Sequence, residues 1–524
     1  MATLTQAQLK RLTAVHGWSG MVLGLLLYAV VLTGTVVVFG HEIAIWSAGG
    51  TSAQAPLAGP IDSHVRRVAG MVTKGYHEGI DAWSDVDGNL MVFPHAHARD
   101  PRHDEITDYG AVFRVDPATG DVLDRKDGFL WHEPSWYAGS ALEQFLVDLH
   151  VQLYVPEPWG LILTGVLGLA MMAAGVTGVL VHRHLIRDLF VAERPGARLV
   201  SARDRHVLAA SWSLPFAILL AFTGSFFSFA GTLGLPMVAA VAFGGDEQKV
   251  VAALYSPPVA EDARPTRLAD IDDVVARSTV LAGAPPIWVT VERYGRADAR
   301  IGVWHDPPAG RLSYVHNMFD GADGGFLGER PSVGNAPSAA ATLTGIMGPL
   351  HFGNFAGVLS KSVWVGLGAA MCFVILTGMR LWLRRRESEP LWRGFRRALT
   401  VVGYGLPLGM LAAAYAFFLA LPAGDTFWWT PAGFVIGAVA CIAFGCMDAD
   451  PHRLGRTLRA VAGVGCLGLP VLRLACGGTS WAAALAAGDA AIVSLDLLFL
   501  LGGAALLLWR WRAGVPLPVA EPAE

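Results

Sequence analysis

Apolar residues along the chain gather into eight runs, at residues 17–40, 159–181, 207–230, 362–383, 399–421, 430–446, 460–476 and 490–509. A bilayer core takes about 20 apolar residues wound as an α-helix. The pattern therefore predicts an all-α polytopic membrane protein of about eight transmembrane helices, the sixth and seventh short and rich in glycine. The first run is expected to stay as a helix rather than leave as a signal peptide, because the candidate cleavage site Ala53-Gln54-Ala55 lies too far downstream.

Between these runs lie two long polar stretches, residues 42–145 and 232–345, which predict two small α+β domains inserted between helices 1 and 2 and helices 3 and 4. In the first, a helical pattern at 61–71 precedes the strand-like Gly110-Ala111-Val112-Phe113-Arg114-Val115 and the turn Asp116-Pro117-Ala118-Thr119-Gly120. In the second, 268–278 reads as a helix and Ile287-Trp288-Val289-Thr290-Val291 as a strand, with Asn317-Met318-Phe319-Asp320-Gly321 in the place of the turn. The expected organisation is helix 1 at 10–41, domain 1 at 42–145, helix 2 at 146–184 and a basic loop at 185–205. Helix 3 at 206–231, domain 2 at 232–345, helix 4 at 346–387, a four-helix extension at 388–512 and a Pro/Ala-rich tail at 513–524 complete it.

Composition agrees: 53% hydrophobic against 16% charged residues lies outside the ordinary soluble range. The formal net charge of −4 gives no bias toward nucleic acid. Position along the chain is more telling than the sum. Lys10 and Arg11, the arginines 183–205, the arginines 380–397, Arg453, Arg456 and Arg459, and Arg510 and Arg512 fall on one side of an eight-span layout. The positive-inside rule then places both termini in the cytoplasm and both polar domains outside, with the loops around Asp425 and Thr479. All five cysteines lie in or beside apolar runs, which argues against a disulfide framework. With no C-x-x-C-H, any haem would be held noncovalently.

The strongest feature is an internal repeat. His16 is followed eighteen residues later by Gly34 of Leu32-Thr33-Gly34, and His206 eighteen residues later by Gly224 of Phe222-Thr223-Gly224. Leu149-His150 precedes Val176-Thr177-Gly178 by nearly the interval that separates Leu350-His351 from Leu376-Thr377-Gly378. The helix–domain–helix unit thus occurs twice in the same orientation, as a parallel duplication. Equivalent positions face a shared axis, so His16 with His206 near the cytoplasmic surface, and His150 with His351 near the outer one, are candidate axial imidazoles for two b-type haems. The plain alternative is four interfacial histidines inherited in pairs.

Arg203, Arg205 and Lys361 are candidate partners for haem propionates, although the arginines already serve as topology determinants. Weaker candidates for metal binding are His41, the pair His182 and His184, and the loop group His95, His97 and His103.

His16-Gly17-Trp18-Ser19-Gly20 with Leu32-Thr33-Gly34, Leu149-His150 with Thr177-Gly178, and Val115-Asp116-Pro117-Ala118-Thr119-Gly120-Asp121-Val122 resemble the PepSY-associated transmembrane proteins. The likeness runs over about residues 10–387 and takes in Trp212, Leu214-Pro215-Phe216, Leu350-His351 and Leu376-Thr377-Gly378. It departs at Gly17, where the family usually has a basic residue, and in the second turn. That resemblance implies PepSY-like domains and a bacterial inner-membrane ferric-siderophore reductase. Such a protein uses b-type haems to carry electrons to iron chelates in the periplasm, with His16, His206, His150 and His351 as ligands.

The expected partners are a ferric siderophore or other iron chelate, the lipid bilayer, and an electron donor that is a quinol or a cytoplasmic reductase. No G-x-G-x-x-G opens a helix after a cytoplasmic strand, so no nucleotide or flavin fingerprint identifies the donor. Two rivals remain open: a non-enzymatic, membrane-anchored PepSY binding or regulatory module that takes a peptide, a protease or a siderophore-uptake partner, and a transporter. The spans lack the paired carboxylates expected of a transporter midplane.

Overall fold

In the computed structural model, the structure describes residues 5–512 apart from 49–56, 58, 102–104, 131–137, 183–197, 247–248, 251–252, 255–258, 335, 387 and 448–449. The described residues include eight helices long and apolar enough to cross a membrane. Helix α1 (Gln6–Val37) begins at a capping box, in which the Gln8 N–H donates to Thr5 Oγ1 at 3.3 Å and the Thr5 N–H to Gln8 Oε1 at 2.9 Å. A short helix α2 (Gly40–Ala48) follows, then α3 (Ile61–Ala69) and strands β1 (Gly79–Ser84), β2 (Leu90–Asp100), β3 (Glu105–Val115) and β4 (Val122–Phe129). Next come α4 (Ala141–Val151), the span α5 (Trp159–Val181), the span α6 (Arg198–Phe229), which continues through a π turn, and α7 (Leu235–Ala242).

The second polar stretch supplies α8 (Ile271–Ala282) and strands β5 (Pro286–Glu292), β6 (Arg300–His305), β7 (Val315–Asp320) and β8 (Phe326–Arg330). After it come α9 (Ala339–Phe352) and the span α10 (Gly357–Arg384). Spans α11 (Pro390–Ala420), α12 (Thr426–Met447) and α13 (Pro451–Ala475), the short α14 (Trp481–Ala486) and span α15 (Ala490–Arg512) end the chain. Each span carries an apolar stretch long enough to cross a bilayer. Helices α1, α5, α6 and α10 pack in a closed ring, each against two of the others. Small residues let them approach: Ser225 of α6 lies against Gly168 of α5 and donates to the Gly165 carbonyl at 3.0 Å.

The two polar stretches build one sheet rather than two separate ones. Its order is β4-β3-β2-β1-β5-β6-β7-β8, antiparallel throughout, with the seam where Gly79–Trp83 pairs with Glu292–Trp288. An exposed strand edge seeks a partner, and here each stretch satisfies the edge of the other. Helices α3 and α8 cover one face, where Ile61, Val65, Ile271 and Val274 pack on Val92, Phe113, Val289, Ile301 and Phe319. The two helices also cap one another: Asp272 Oδ1 accepts from the Ile61 N–H at 2.7 Å and the Asp62 N–H at 3.1 Å, and Asp62 Oδ1 accepts from the Ile271 N–H at 3.1 Å.

The second turn differs from expectation. Residues 317–319 are still strand, and the reversal is made by residues 320–324, with Asp320 Oδ1 accepting from the Ala322 N–H at 2.9 Å and Gly324 at φ +72°. It matches the first turn closely, where Asp116 Oδ1 accepts from the Ala118 N–H at 2.8 Å and Gly120 lies at φ +73°. The left-handed conformation demands glycine at the fifth position. The glycine four residues after an aspartate is therefore the signal, not the run before it. The helix predicted at 268–278 likewise starts three residues later, because Asp270 is its cap, accepting from the Asp272 and Asp273 N–H groups.

Candidate functional site

The four repeat-matched histidines are each seated on a neighbouring helix in the same way. His16 of α1 lies with Nδ1 3.1 Å from the Ala174 carbonyl and 3.3 Å from Thr177 Oγ1 of α5. His206 of α6 repeats this on α10, with Nδ1 3.1 Å from the Val374 carbonyl and 3.2 Å from Thr377 Oγ1. At the end of the ring nearer the sheet, His150 of α4 has Nδ1 3.0 Å from the Val30 carbonyl and 3.4 Å from Thr33 Oγ1 of α1. His351 of α9 has Nδ1 2.8 Å from Thr223 Oγ1 of α6.

These contacts decide the tautomer. Each threonine spends its own proton inside its helix, donating to the carbonyls of Ala29, Ala173, Leu219 and Phe373 at 2.8, 2.8, 2.9 and 2.6 Å. The backbone carbonyls facing His16, His150 and His206 can only accept, so in these three Nδ1 carries the hydrogen and Nε2 keeps the lone pair. A metal-bound histidine is held this way, with its second nitrogen donating to a carbonyl or similar acceptor.

The glycine after each threonine makes room for the ring. A Cβ at Gly34 would come 2.7 Å from His150 Cε1, at Gly378 3.0 Å from His206 Cε1, at Gly224 3.3 Å from His351 Cε1 and at Gly178 3.4 Å from His16 Cε1. The Thr-Gly dipeptides are therefore seats for the histidines. The sequence shows them as landmarks of the repeat; that they touch the histidines depends on which helices are neighbours.

The His150 and His351 rings lie together, with centroids 6.3 Å apart and planes inclined by 27°. Two metal–nitrogen bonds of about 2 Å, with about 1 Å from each nitrogen to its ring centre, require roughly 6 Å between imidazole centres. The observed centroid separation matches that spacing. The surroundings of the pair are apolar: Phe227 and Phe352 pack edge-on to His351 at 5.5 and 5.6 Å.

The other candidates stand elsewhere. Lys361 Nζ donates to both oxygens of Glu42, at 2.6 and 2.8 Å, so α2 already neutralises it. Arg203 and Arg205 are exposed on the first turns of α6, close in sequence to His206. His41 is exposed at the start of α2, and His182 is the C-cap of α5. His184 and His103 lie outside the described residues. His95 is buried between Asp81 Oδ2 at 3.2 Å and Asp108 Oδ1 at 3.3 Å, and His97 Nδ1 lies 2.8 Å from Glu78 Oε1. Burial alone would lower the His95 pKa, but the bonds to Asp108 and Asp81 outweigh it and hold it at about 9. A protonated imidazole between carboxylates is an ion-pair member, not a metal ligand. Among the described residues no three His, Cys, Asp or Glu side chains are grouped to hold a metal ion.

Residues 13–385, which include all four seated histidines and the whole sheet, match the PepSY-associated TM region. The chain is also 30% identical over 398 residues to an uncharacterized protein of Pseudomonas aeruginosa, a match covering 72% of this chain and 96% of that protein. On both counts the chain is a multi-pass membrane protein of the PepSY-associated transmembrane family.

Proposed function

We propose that this protein is a haem-b-containing reductase of the bacterial inner membrane that delivers electrons to ferric-siderophore iron, or iron in another chelate, on the periplasmic side. The observation that carries the reading is the His150–His351 pair, 6.3 Å between ring centres, with Nδ1 of each bonded to the helix beside it. Under it, His150 and His351 hold one b-type haem and His16 and His206 a second. Bound there, bis-imidazole haem supplies a reversible one-electron couple, the chemistry that conversion of Fe(III) to the more labile Fe(II) requires.

The chain's own part is positional. The carbonyls of Ala174, Val30 and Val374 fix the tautomer of His16, His150 and His206, the four threonines add a contact each, and the glycines beside them set how closely each ring approaches its helix. Phe227 and Phe352 pack edge-on against His351. The matching seats, the matching Asp116 and Asp320 turns and the mutual capping of α3 and α8 support a parallel duplication of one helix–domain–helix unit. The basic clusters support cytoplasmic termini and a periplasmic sheet. The electron donor in this scheme is a quinol or a cytoplasmic reductase.

The test is haem content. Protein purified in mild detergent from haem-replete cells should show a reduced-minus-oxidised b-type spectrum and two haems per chain by pyridine haemochrome. His150→Ala or His351→Ala should each remove one of the two, as should His16→Ala or His206→Ala. Wild-type protein free of haem would sink the reductase and leave a membrane-anchored binding module as the better account.

A further inference from the structure

The sheet face turned away from α3 and α8 carries a second group of metal donors, distinct from the four seated histidines. Thr290 of β5, Gly302 of β6 and Met318 of β7 are neighbours in one cross-strand row. His316 lies opposite Trp304 in the next row and, two residues from Met318, on the same face. Three donor atoms converge on the space above Gly302. A Cβ there would lie 2.6 Å from Thr290 Oγ1, 2.8 Å from His316 Nε2 and 3.2 Å from Met318 Sδ. Glycine inside a strand weakens it and commonly marks a place where something must approach the backbone closely.

His316 is 9% exposed, and its Nε2 has no hydrogen-bond partner among the described residues. Buried polar atoms are rarely left so, and one that is calls for a reason such as a bound ion. The ring is held flat against Trp304, with centroids 3.8 Å apart and planes at 12°, which fixes where Nε2 points.

We propose that His316 Nε2 and Met318 Sδ form a binding site for a soft monovalent cation of the Cu(I) class, with Thr290 Oγ1 as a weaker third contact. A thioether beside an imidazole selects Cu(I) over harder ions, which prefer carboxylates and water. The donor set carries no charge, so it does little to hold a di- or trivalent ion against water. The carboxylate in the same row, Asp81, is already bonded to Trp288 and His95.

The test uses the full-length protein in detergent, titrated anaerobically with Cu(I) against bicinchoninate as a coloured competitor. One equivalent should be withdrawn from the chelator, with a sulfur scatterer in the copper X-ray absorption spectrum. Met318→Leu keeps the volume and should weaken binding at least about tenfold, with loss of the sulfur signal. His316→Phe keeps the stack on Trp304 and should abolish binding. Thermal unfolding of each variant checks that the sheet survives. No Cu(I) uptake by wild type overturns the site, as does uptake unchanged in both variants or a preference for Zn²⁺. Haem measured in the same samples keeps this outcome separate from the fate of the reductase reading.

Discussion

Gly34 of α1 lies directly under the His150 ring: a methyl group added there would stand 2.7 Å from Cε1 and 3.1 Å from Nδ1. Real Cβ contacts are not that short, so Gly34→Ala must push His150 away from Thr33 and out of line with His351. Ligand-orienting contacts are commonly worth 10–100-fold in metal affinity. Gly34→Ala should therefore remove the haem assigned to His150 and His351 and spare the one assigned to His16 and His206. Pyridine haemochrome would read this as a fall from two haems to one, and an unchanged count would show that the seat is not needed.

The threonines allow a finer test. Thr377→Val leaves the His206 Nδ1–H with the Val374 carbonyl alone. An imidazole that donates less strongly from Nδ1 is a poorer electron donor at Nε2, which disfavours the ferric state. The midpoint potential of that haem should rise, by about 40 mV if the lost bond is worth about 1 kcal/mol. Potentiometric titration of the visible spectrum measures it; a fall in potential would contradict the tautomer assigned to His206.

How much of this was legible in the sequence follows from what each feature needs. A span needs only length and hydropathy, and the eight apolar runs all correspond to helices. The spacing of His16 to Gly34 and of His206 to Gly224 exposed the repeat, because matched spacing is a property of the chain alone. The helices α4 and α9 that carry His150 and His351 are separate from the spans that follow them, and at 11 and 14 residues they are too short to register as apolar runs. The pairing of β1 with β5 joins segments some 200 residues apart, and no local pattern encodes it. Thr33 and His150 meet only because α4 packs against α1.

Within the sheet, His95 gives a pH signature. Its folded pKa of about 9 lies above the ordinary value of 6.5 because Asp108 and Asp81 favour the charged form more than burial disfavours it. A group raised on folding contributes stability in full below its unfolded pKa and loses it as pH rises through the folded one. The wild-type sheet should thus weaken between about pH 6.5 and 9. His95→Gln should be less stable than wild type at pH 6 and nearly as stable at pH 9.5. Thermal unfolding across that range is the measurement, and equal slopes for the two proteins would contradict the assignment.

The extension beyond residue 385 bears on the site through one buried charge cluster. Asp496 of α15 accepts from Arg473 of α13 at 2.7 Å, from Trp46 of α2 at 2.8 Å and from Trp481 of α14 at 2.8 Å, and both charged residues are no more than 2% exposed. Removing one member of such a pair strands the other charge and costs about 3–5 kcal/mol. Trp46 and Ile45 pack on Leu142, Phe145 and Leu149 of α4, one turn from His150. Loosening α2 should therefore loosen α4. Asp496→Ala should lower the melting temperature in detergent and reduce haem at the His150–His351 site more than at the other. The double variant Arg473→Met with Asp496→Leu, which leaves no stranded charge, should recover much of the stability. Haem loss spread equally over both sites would mean that the extension supports the ring as a whole, and not the α4 seat.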